Sequence, residues 1–173
     1  MQERIQHCVL NIIAESAGTR GEGAYLVDVS VKGKGSHRKI EVLMDDDSGI
    51  RIQQCAWFSR RLREKIEGDD DLLEQVGENF DIMVSSPGLG EPILLPRQYR
   101  RHLGKLLRVK YRDAAGVEAE LSGHLQEALL SETERSSLLI LPVSSGKKGT
   151  KSAIEAVTLY LDHIISAVPE AEL

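Results

Sequence analysis

The sequence predicts an α+β protein in two parts, an N-terminal α-β-β-α-β domain and a C-terminal domain of short strands. In the first half, apolar residues recur with helical spacing in two segments and alternate with polar residues in three others. The second half holds three short apolar runs between turn residues, a pattern typical of a small barrel or sandwich. A segment rich in proline and glycine separates the halves. We therefore expect domains at 1–86 and 97–173 with a joint at 87–96.

Two amphipathic helices are predicted in the first half, at 3–16 and 50–67. Each places its apolar residues on one face, which would pack against a core. These residues are Ile5, Cys8, Val9, Ile12 and Ile13 in the first helix, and Ile52, Cys55, Leu62 and Ile66 in the second.

Three strands complete the N-terminal domain, at 24–33, 38–45 and 78–86. In each, alternate residues are apolar, the pattern of a strand with one buried face. The first two strands are separated by the turn sequence KGKGSHR, so we expect them to form a hairpin.

The second half contains the apolar runs KLLRVKYRD, VEAELSGHLQEAL and SSLLILPVS, which we predict to be strands. The last segment, KSAIEAVTLYLDHIISAV, fits two structures. It can form one amphipathic helix, or a strand, a turn and a final strand, and periodicity does not separate the two.

Composition narrows the class of protein. Phe, Trp and Tyr make up only 4% of the 173 residues, so the core must consist mainly of Ile, Leu and Val. The two cysteines are far apart in sequence, which fits a reducing compartment. No apolar run approaches the roughly 20 residues of a membrane span, and we see no export signal at the N-terminus. We therefore expect a soluble cytoplasmic protein.

The net charge of −5 comes from the first half of the chain, since residues 1–90 carry 11 Lys/Arg and 16 Asp/Glu. A protein that binds polyanions in general would normally be basic, so this charge argues against that class.

The joint begins with the sequence VSSPGLGEPI, where Pro87 and Gly88 suit the central pair of a type II turn with positive φ at Gly88. Ser85 and Ser86 lack the G-x-S-x-G spacing of a hydrolase nucleophile. We expect no catalytic residues and interpret Ser85, Ser86, Pro87 and Gly88 as an interdomain elbow.

Two further segments resemble ligand-binding loops without meeting their requirements. In SSGKKGTKS, at 144–152, the glycines are three residues apart, whereas a phosphate-binding loop needs five, so we expect a cationic loop. A calcium loop starting at Asp45 would place Ile50 where glycine is required and Ala56 where glutamate is required. No metal site and no cofactor are expected.

One charged segment favours a binding role. Residues 97–112 contain seven Arg/Lys, no acidic residue and interleaved tyrosines, a combination that suits phosphate contact and base stacking. The candidate contact residues for RNA are Arg97, Tyr99, Arg100, Arg101, Lys105, Arg108, Lys110 and Arg112. An equally simple interpretation is a solubilising surface whose cations pair with acidic residues elsewhere.

Three features together resemble the bacterial ribosome maturation factor RimP family. The first is G-I-x-x-x-x-C-x-x-x-S-R, formed by Gly49, Ile50, Cys55, Ser59 and Arg60. The second is VSSPGL followed by a proline, and the third is the basic run that leads to a Gly-Lys pair. The similarity extends over nearly the whole chain.

This resemblance implies an α/β domain followed by a small SH3-like, Sm-like β-barrel, and it favours a strand, a short helical turn and a strand at the C-terminus. It also implies a non-catalytic factor that binds the free small ribosomal subunit, with ribosomal RNA and the basic small-subunit protein twelve as partners. The family commonly has Ser or Thr where this chain has Arg51. We therefore expect the second helix to begin elsewhere, with Ser48 as its candidate cap.

The charge asymmetry assigns a partner to each domain. The acidic N-terminal domain would face the basic ribosomal protein, and the basic run would face ribosomal RNA. The acidic candidates are Asp45, Asp46, Asp47, Asp69, Asp70 and Asp71. We expect a monomer that does not bind membranes. The alternative is a free-standing Sm-like module that binds small or messenger RNA and forms a ring.

Overall fold

The computed structural model describes residues 1–34, 37–143 and 155–172. They fall into two compact units, Met1–Pro87 and Gly88–Leu173. The cationic segment 144–152 lies outside the described residues. Helices and two separate sheets are present, which confirms a mixed α+β protein.

The described residues of the first unit form three helices and three strands. In chain order they are α1 (Gln2–Ala14), β1 (Tyr25–Lys32), β2 (His37–Asp45), α2 (Ile52–Glu67), α3 (Asp70–Val76) and β3 (Asn79–Ser85). The short helix α3 was not predicted, because seven residues give too few turns for a periodic apolar pattern to stand out. Its start is fixed by Asp69, whose side chain accepts the backbone N–H of Leu72 at 3.0 Å.

The sheet of the first unit has the order β1-β2-β3. Strands β1 and β2 form the expected antiparallel hairpin, whereas β3 runs parallel to β2, so α2 and α3 form the crossover between them. One sheet face and the three helices bury a common core. Its fully or almost fully buried members include Ile5, Val9 and Ile12 of α1, Phe58, Leu62 and Ile66 of α2, and Ile40, Val42 and Met44 of β2.

The predicted start of the second helix needs two corrections. Helix α2 begins at Ile52 with Arg51 at its N-cap, and Ser48 does not cap it: the Ser48 hydroxyl donates to Asp46 Oδ1 at 2.7 Å. Ile52 does not belong to the buried face, since 87% of its surface is exposed. As the first helical residue, it lies beyond the edge of the core that Phe58, Leu62 and Ile66 reach.

In the second unit, the described residues form an antiparallel five-stranded sheet with the order β7-β6-β5-β4-β8. Its strands are β4 (Leu106–Arg112), β5 (Glu118–Leu129), β6 (Ser137–Pro142), β7 (Val157–Tyr160) and β8 (Ile164–Pro169). A 3-10 turn, Leu161–His163, connects β7 to β8, so the C-terminal segment is strand, turn and strand rather than one helix. Among the described residues β7 and β8 remain the ends of the sheet, and barrel closure stays a prediction.

The start of the second unit lies along β8. The N–H of Gly90 donates to the carbonyl of Pro169 at 3.0 Å, and the N–H of Ile93 donates to the carbonyl of Ala167 at 2.8 Å. A 3-10 helix, Pro96–His102, follows this segment. These bonds satisfy part of the outer edge of β8, which would otherwise expose unpaired backbone groups.

Candidate nucleic-acid interface

The basic run 97–112 is divided between two elements, the 3-10 helix Pro96–His102 and strand β4. Gln98 organises the start of the 3-10 helix, because its buried Oε1 accepts the backbone N–H groups of Leu94 and Leu95 at 2.9 and 2.8 Å. The helix turns Gln98, Tyr99 and His102 inward, while Arg97 and Arg100 are exposed and Arg101 is half-buried. The exposed Lys105 lies just before β4.

Tyr99 must be removed from the predicted RNA-contact residues. Only 5% of its surface is exposed, and its ring belongs to the core of the second unit together with Leu107 and Leu125. Burial raises the pKa of its hydroxyl to about 12. A ring at this depth cannot stack on a base, so Tyr99 is a core residue that positions the 3-10 helix.

The cations of β4 form one row on the exposed face of the strand. Leu107 and Val109 point into the core, and the alternating residues Arg108, Lys110 and Arg112 point outward. Each outward cation has a carboxylate close by, on the neighbouring strand or just after β8. The nitrogen-to-oxygen distances are 3.2 Å for Arg108 to Glu170, 3.8 Å for Lys110 to Glu120 and 3.7 Å for Arg112 to Glu118. The positive charge of this row is therefore partly compensated within the second unit.

The loop that follows β2 uses its acidic residues for local structure. Asp45 has no exposed surface, so it cannot take part in the predicted protein-contact surface. Burial raises the pKa of Asp46, but hydrogen bonds from Ser48 and Gln54 and the charge of Arg51 outweigh that effect and lower it. Asp46 Oδ1 accepts the backbone N–H of Ser48 at 2.9 Å, which closes the turn. Asp47 is half-buried in the same turn.

The second group of acidic candidates, Asp69 to Asp71, contains one residue that stabilises the fold and two that are exposed. The pKa of Asp69 is lowered, first by the hydrogen bond from the N–H of Leu72 and also by Arg4. The Arg4 guanidinium lies 2.9 Å from Asp69 Oδ2 and ties α1 to the start of α3. Asp70 and Asp71 are exposed in the first turn of α3 and remain the best placed of the six acidic candidates for contact with a partner.

The predicted elbow residues lie at the boundary of the two units. Ser85 ends β3, where it pairs with Leu43 of β2, and the boundary falls between Pro87 and Gly88. The predicted turn geometry is wrong, because the glycine with positive φ is Gly90, at 85°, and not Gly88. The N–H of Glu91 donates to the carbonyl of Gly88 at 3.3 Å, so the turn is centred two residues later, on Leu89 and Gly90.

Within 1–34, 37–143 and 155–172, no group of three or more His, Cys, Asp or Glu side chains is arranged to hold a metal ion. In the same part of the chain, no helix is long and apolar enough to cross a membrane.

The first unit has a further cationic surface that the sequence pattern did not predict. A concave region of about 380 Å³ lies between the loop before β1 and the first turn of α2. Its lining residues are Thr19, Arg20, Glu22, Arg51, Gln53 and Gln54. Helical spacing alone places Arg60 on the exposed side of α2, but the approach of Arg20 to Arg51 depends on tertiary packing.

Known proteins are similar to this chain over its full length. Residues 12–90 match the family model described as the RimP N-terminal domain. The ribosome maturation factor RimP of Pelodictyon phaeoclathratiforme is 65% identical over 173 residues, which cover 100% of both chains. That of Chlorobium limicola is 52% identical and covers 100% of this chain and 98% of its own, and that of Cytophaga hutchinsonii is 39% identical over 61% and 62%. This chain therefore belongs to the ribosome maturation factor RimP family.

Proposed function

We propose that this protein is a non-catalytic ribosome maturation factor that binds the immature small ribosomal subunit in the cytoplasm and promotes its late assembly. The observation that carries the proposal is the 65% identity, over the whole of both chains, to a protein named ribosome maturation factor RimP. Its action is binding: a factor that binds the more mature conformation of a particle more tightly shifts the particle toward it. No nucleotide or cofactor is needed for such a shift.

The proposed contact with ribosomal RNA is the basic run without Tyr99. Its members are Arg97, Arg100, Arg101, Lys105, Arg108, Lys110 and Arg112. The ion pairs of the β4 row are exposed, and exposed pairs typically contribute only about 0–1 kcal/mol. An RNA phosphate can therefore replace Glu118 or Glu120 as the partner at little cost to the stability of the fold.

The proposed contact with a basic ribosomal protein is the first turn of α3. Asp70 and Asp71 are exposed there, on a unit, Met1–Pro87, whose 11 Lys/Arg and 16 Asp/Glu give a net charge of −5. A very basic protein such as small-subunit protein twelve is complementary to this surface.

The segment from Ser85 to Gly88 is proposed to set the angle between the two contact surfaces. Replacing Ser85 and Ser86 by Ala should then change small-angle scattering of the protein, and an unchanged profile would contradict that role.

Co-sedimentation with purified small subunits tests the RNA contact. The variant Arg100→Gln, Lys105→Gln, Lys110→Gln removes three cations from the basic run. Each lost phosphate contact should weaken binding about fivefold at 0.1 M salt, because binding to single strands scales with salt to a power of about −0.7 per contact. The control, Lys32→Gln, Lys39→Gln, Lys65→Gln, removes three cations of the first unit that are ion-paired to Glu41 or Glu15.

The control should bind almost as well as the unmodified protein. Equal losses in both variants would show that net charge alone governs binding and would contradict the assignment of the basic run. A ring-shaped oligomer that binds naked RNA and ignores subunits would instead support the free-standing Sm-like module.

Titration calorimetry with isolated small-subunit protein twelve tests the acidic contact. Asp70→Asn with Asp71→Asn should reduce the affinity several-fold, because two charges complementary to a basic partner are lost. Glu64→Gln with Glu67→Gln is the matched control, since those carboxylates already pair with Arg61 and Arg63 on α2. Identical affinities for the two double variants would remove the first turn of α3 from the interface.

A further inference from the structure

The concave region of about 380 Å³ in the first unit is built by a loop that packs tightly on α2. A methyl group on Gly21 would lie 2.5 Å from Trp57 Cε3, so only glycine lets the loop approach the indole this closely. The side chain of Gln54 holds the next part of the loop, since its Nε2 donates to the carbonyl of Glu22 at 3.0 Å. The loop therefore has a fixed position, and Arg20 is held beside the first turn of α2.

The exposed side of α2 continues this surface. Gln53, Ala56, Trp57 and Arg60 follow one another at helical spacing; three of them are exposed and Trp57 is half-buried. The guanidinium carbon of Arg61 lies 5.9 Å from the centre of the Trp57 ring. An aromatic ring thus adjoins cations on the exposed side of α2. We call this side, together with the cavity residues Arg20 and Arg51, the α2 surface.

Two arginines of the α2 surface are not used by the fold. The side chains of Arg20 and Arg60 form neither an ion pair nor a hydrogen bond with any part of the chain that the structure describes. By contrast, Arg61 pairs with Glu64 at 2.9 Å and Arg63 pairs with Glu67 at 3.4 Å on the same helix. A third arginine, Arg51, faces the same cavity, and its backbone N–H is already taken by Gln54 Oε1. The positive charge at the cavity therefore comes from guanidinium groups and not from free N–H groups at the start of α2.

One acidic residue also lines the cavity. Glu22 is exposed, and its Oε2 accepts the backbone N–H of Gly18 at 3.3 Å. The charge of Arg51 also acts on Asp46, whose pKa it helps to lower. Arg20 is therefore the cation of the cavity that the fold leaves available to a ligand.

We propose that the α2 surface binds single-stranded RNA, an inference that rests on the proposed function and adds a second RNA contact in the first unit. Arg20 and Arg60 contact backbone phosphates, for which a guanidinium is well suited. Trp57 contacts an unstacked base, as aromatic side chains do in proteins that bind single strands. An acidic protein segment would satisfy the cations but would leave the Trp57 ring without a planar partner. A duplex keeps its bases stacked and would not reach the ring.

Trp57 is the only tryptophan of the chain, so its fluorescence reports on this surface alone. We would titrate the full-length protein with an unlabelled single-stranded RNA of 12 nucleotides and, separately, with the same sequence as a duplex. The single strand should quench Trp57, and the duplex should quench it much less. Arg20→Gln with Arg60→Gln should raise the Kd from this signal about 25-fold at 0.1 M salt, since two contacts at about fivefold each are lost.

The matched control is Lys39→Gln with Lys65→Gln, which removes two ion-paired cations from the same unit. It should leave the Kd within about twofold of the unmodified protein. Arg20→Lys with Arg60→Lys should restore most of the affinity, because lysine keeps the charge at each phosphate. Circular dichroism of each variant should show unchanged folding.

Three results would overturn the inference: no quenching by the single strand, equal Kd values for the Gln variant and its control, or a Gln variant that loses subunit binding but keeps its RNA affinity. The last result would mean that the α2 surface contacts a protein. The proposed function is tested separately by co-sedimentation with subunits. It survives if the variants of the basic run lose subunit binding while Trp57 is insensitive to RNA.

Discussion

The side-chain oxygen of Gln54 accepts the backbone N–H of Arg51 at 2.8 Å. Arginine has no side-chain acceptor, so Arg51 at the N-cap of α2 cannot satisfy the free N–H groups of the first turn as Ser or Thr would. Gln54 instead satisfies the N–H of the N-cap residue itself, and its Nε2 donates to the Glu22 carbonyl and to Asp46 Oδ2 at 3.0 and 3.2 Å. One buried side chain therefore joins the helix start to two loops.

Gln54→Ala should lower the free energy of unfolding by about 1–3 kcal/mol, because buried groups lose their hydrogen-bond partner. The adjacent exposed residue provides the control: Gln53→Ala should change it by less than about 0.5 kcal/mol. Urea denaturation followed by circular dichroism measures both. Equal effects would show that Gln54 does not organise the start of α2.

The turn at the start of the second unit can be tested with two glycines. Gly90 has φ of 85°, where a side chain is strained, so Gly90→Ala should destabilise the protein by about 1 kcal/mol. A methyl group on Gly88 would meet no atom within 4 Å and the residue lies outside the positive-φ region. Gly88→Ala should therefore be neutral or slightly stabilising. If thermal denaturation showed a larger loss of stability for Gly88→Ala than for Gly90→Ala, the turn would instead be centred on Pro87 and Gly88.

Gly123 of β5 packs tightly against the neighbouring strand β6. A methyl group there would lie 2.6 Å from Ile140 Cγ2 and 2.6 Å from the backbone oxygen of Leu141. Since that backbone belongs to the paired strand β6, Gly123→Ala should destabilise the protein by about 1–3 kcal/mol. Gly116→Ala is a useful comparison, because strain at its φ of 79° arises without a close contact. A smaller loss for Gly123→Ala than for Gly116→Ala would contradict the packing described here.

Asp69 should make stability depend on acid pH. Its pKa is lowered in the folded protein by the N–H of Leu72 and by Arg4, so the ionised form favours folding. That contribution is complete above the pKa of an unfolded aspartate, about 3.9, and is lost as the pH falls through the lower folded value. The stability difference between the unmodified protein and Asp69→Ala should therefore shrink below about pH 4. A difference that stays constant from pH 6 to pH 2.5 would exclude the effect.

Binding to the small subunit should weaken as salt is added. Three phosphate contacts from the basic run predict a log–log slope of about −2 to −3. Sedimentation over a salt series at constant pH measures this slope. A slope near zero would mean that the interface contains few phosphate contacts.

The local sequence pattern was sufficient to predict most of the helices and strands. Alternation of Ile40, Val42 and Met44 predicted β2, because side chains of a strand alternate between its faces. The same rule explains why the cations of β4 point outward in the structure. Helix α3 escaped prediction because its seven residues are identified by the cap at Asp69 rather than by periodicity. The C-terminal strand pair was favoured only by resemblance to a family.

The sequence by itself determined the strand and helix faces and the charge of each half, since these depend on residues close in the chain. Tertiary structure alone decided which charged and aromatic residues are available to a partner. Tyr99 and Asp45 are buried, and the β4 cations meet carboxylates on β5 or just after β8, because distant segments pack against them. Arg20 and Arg51 line one cavity only because the tight contact of Gly21 with Trp57 brings their segments together.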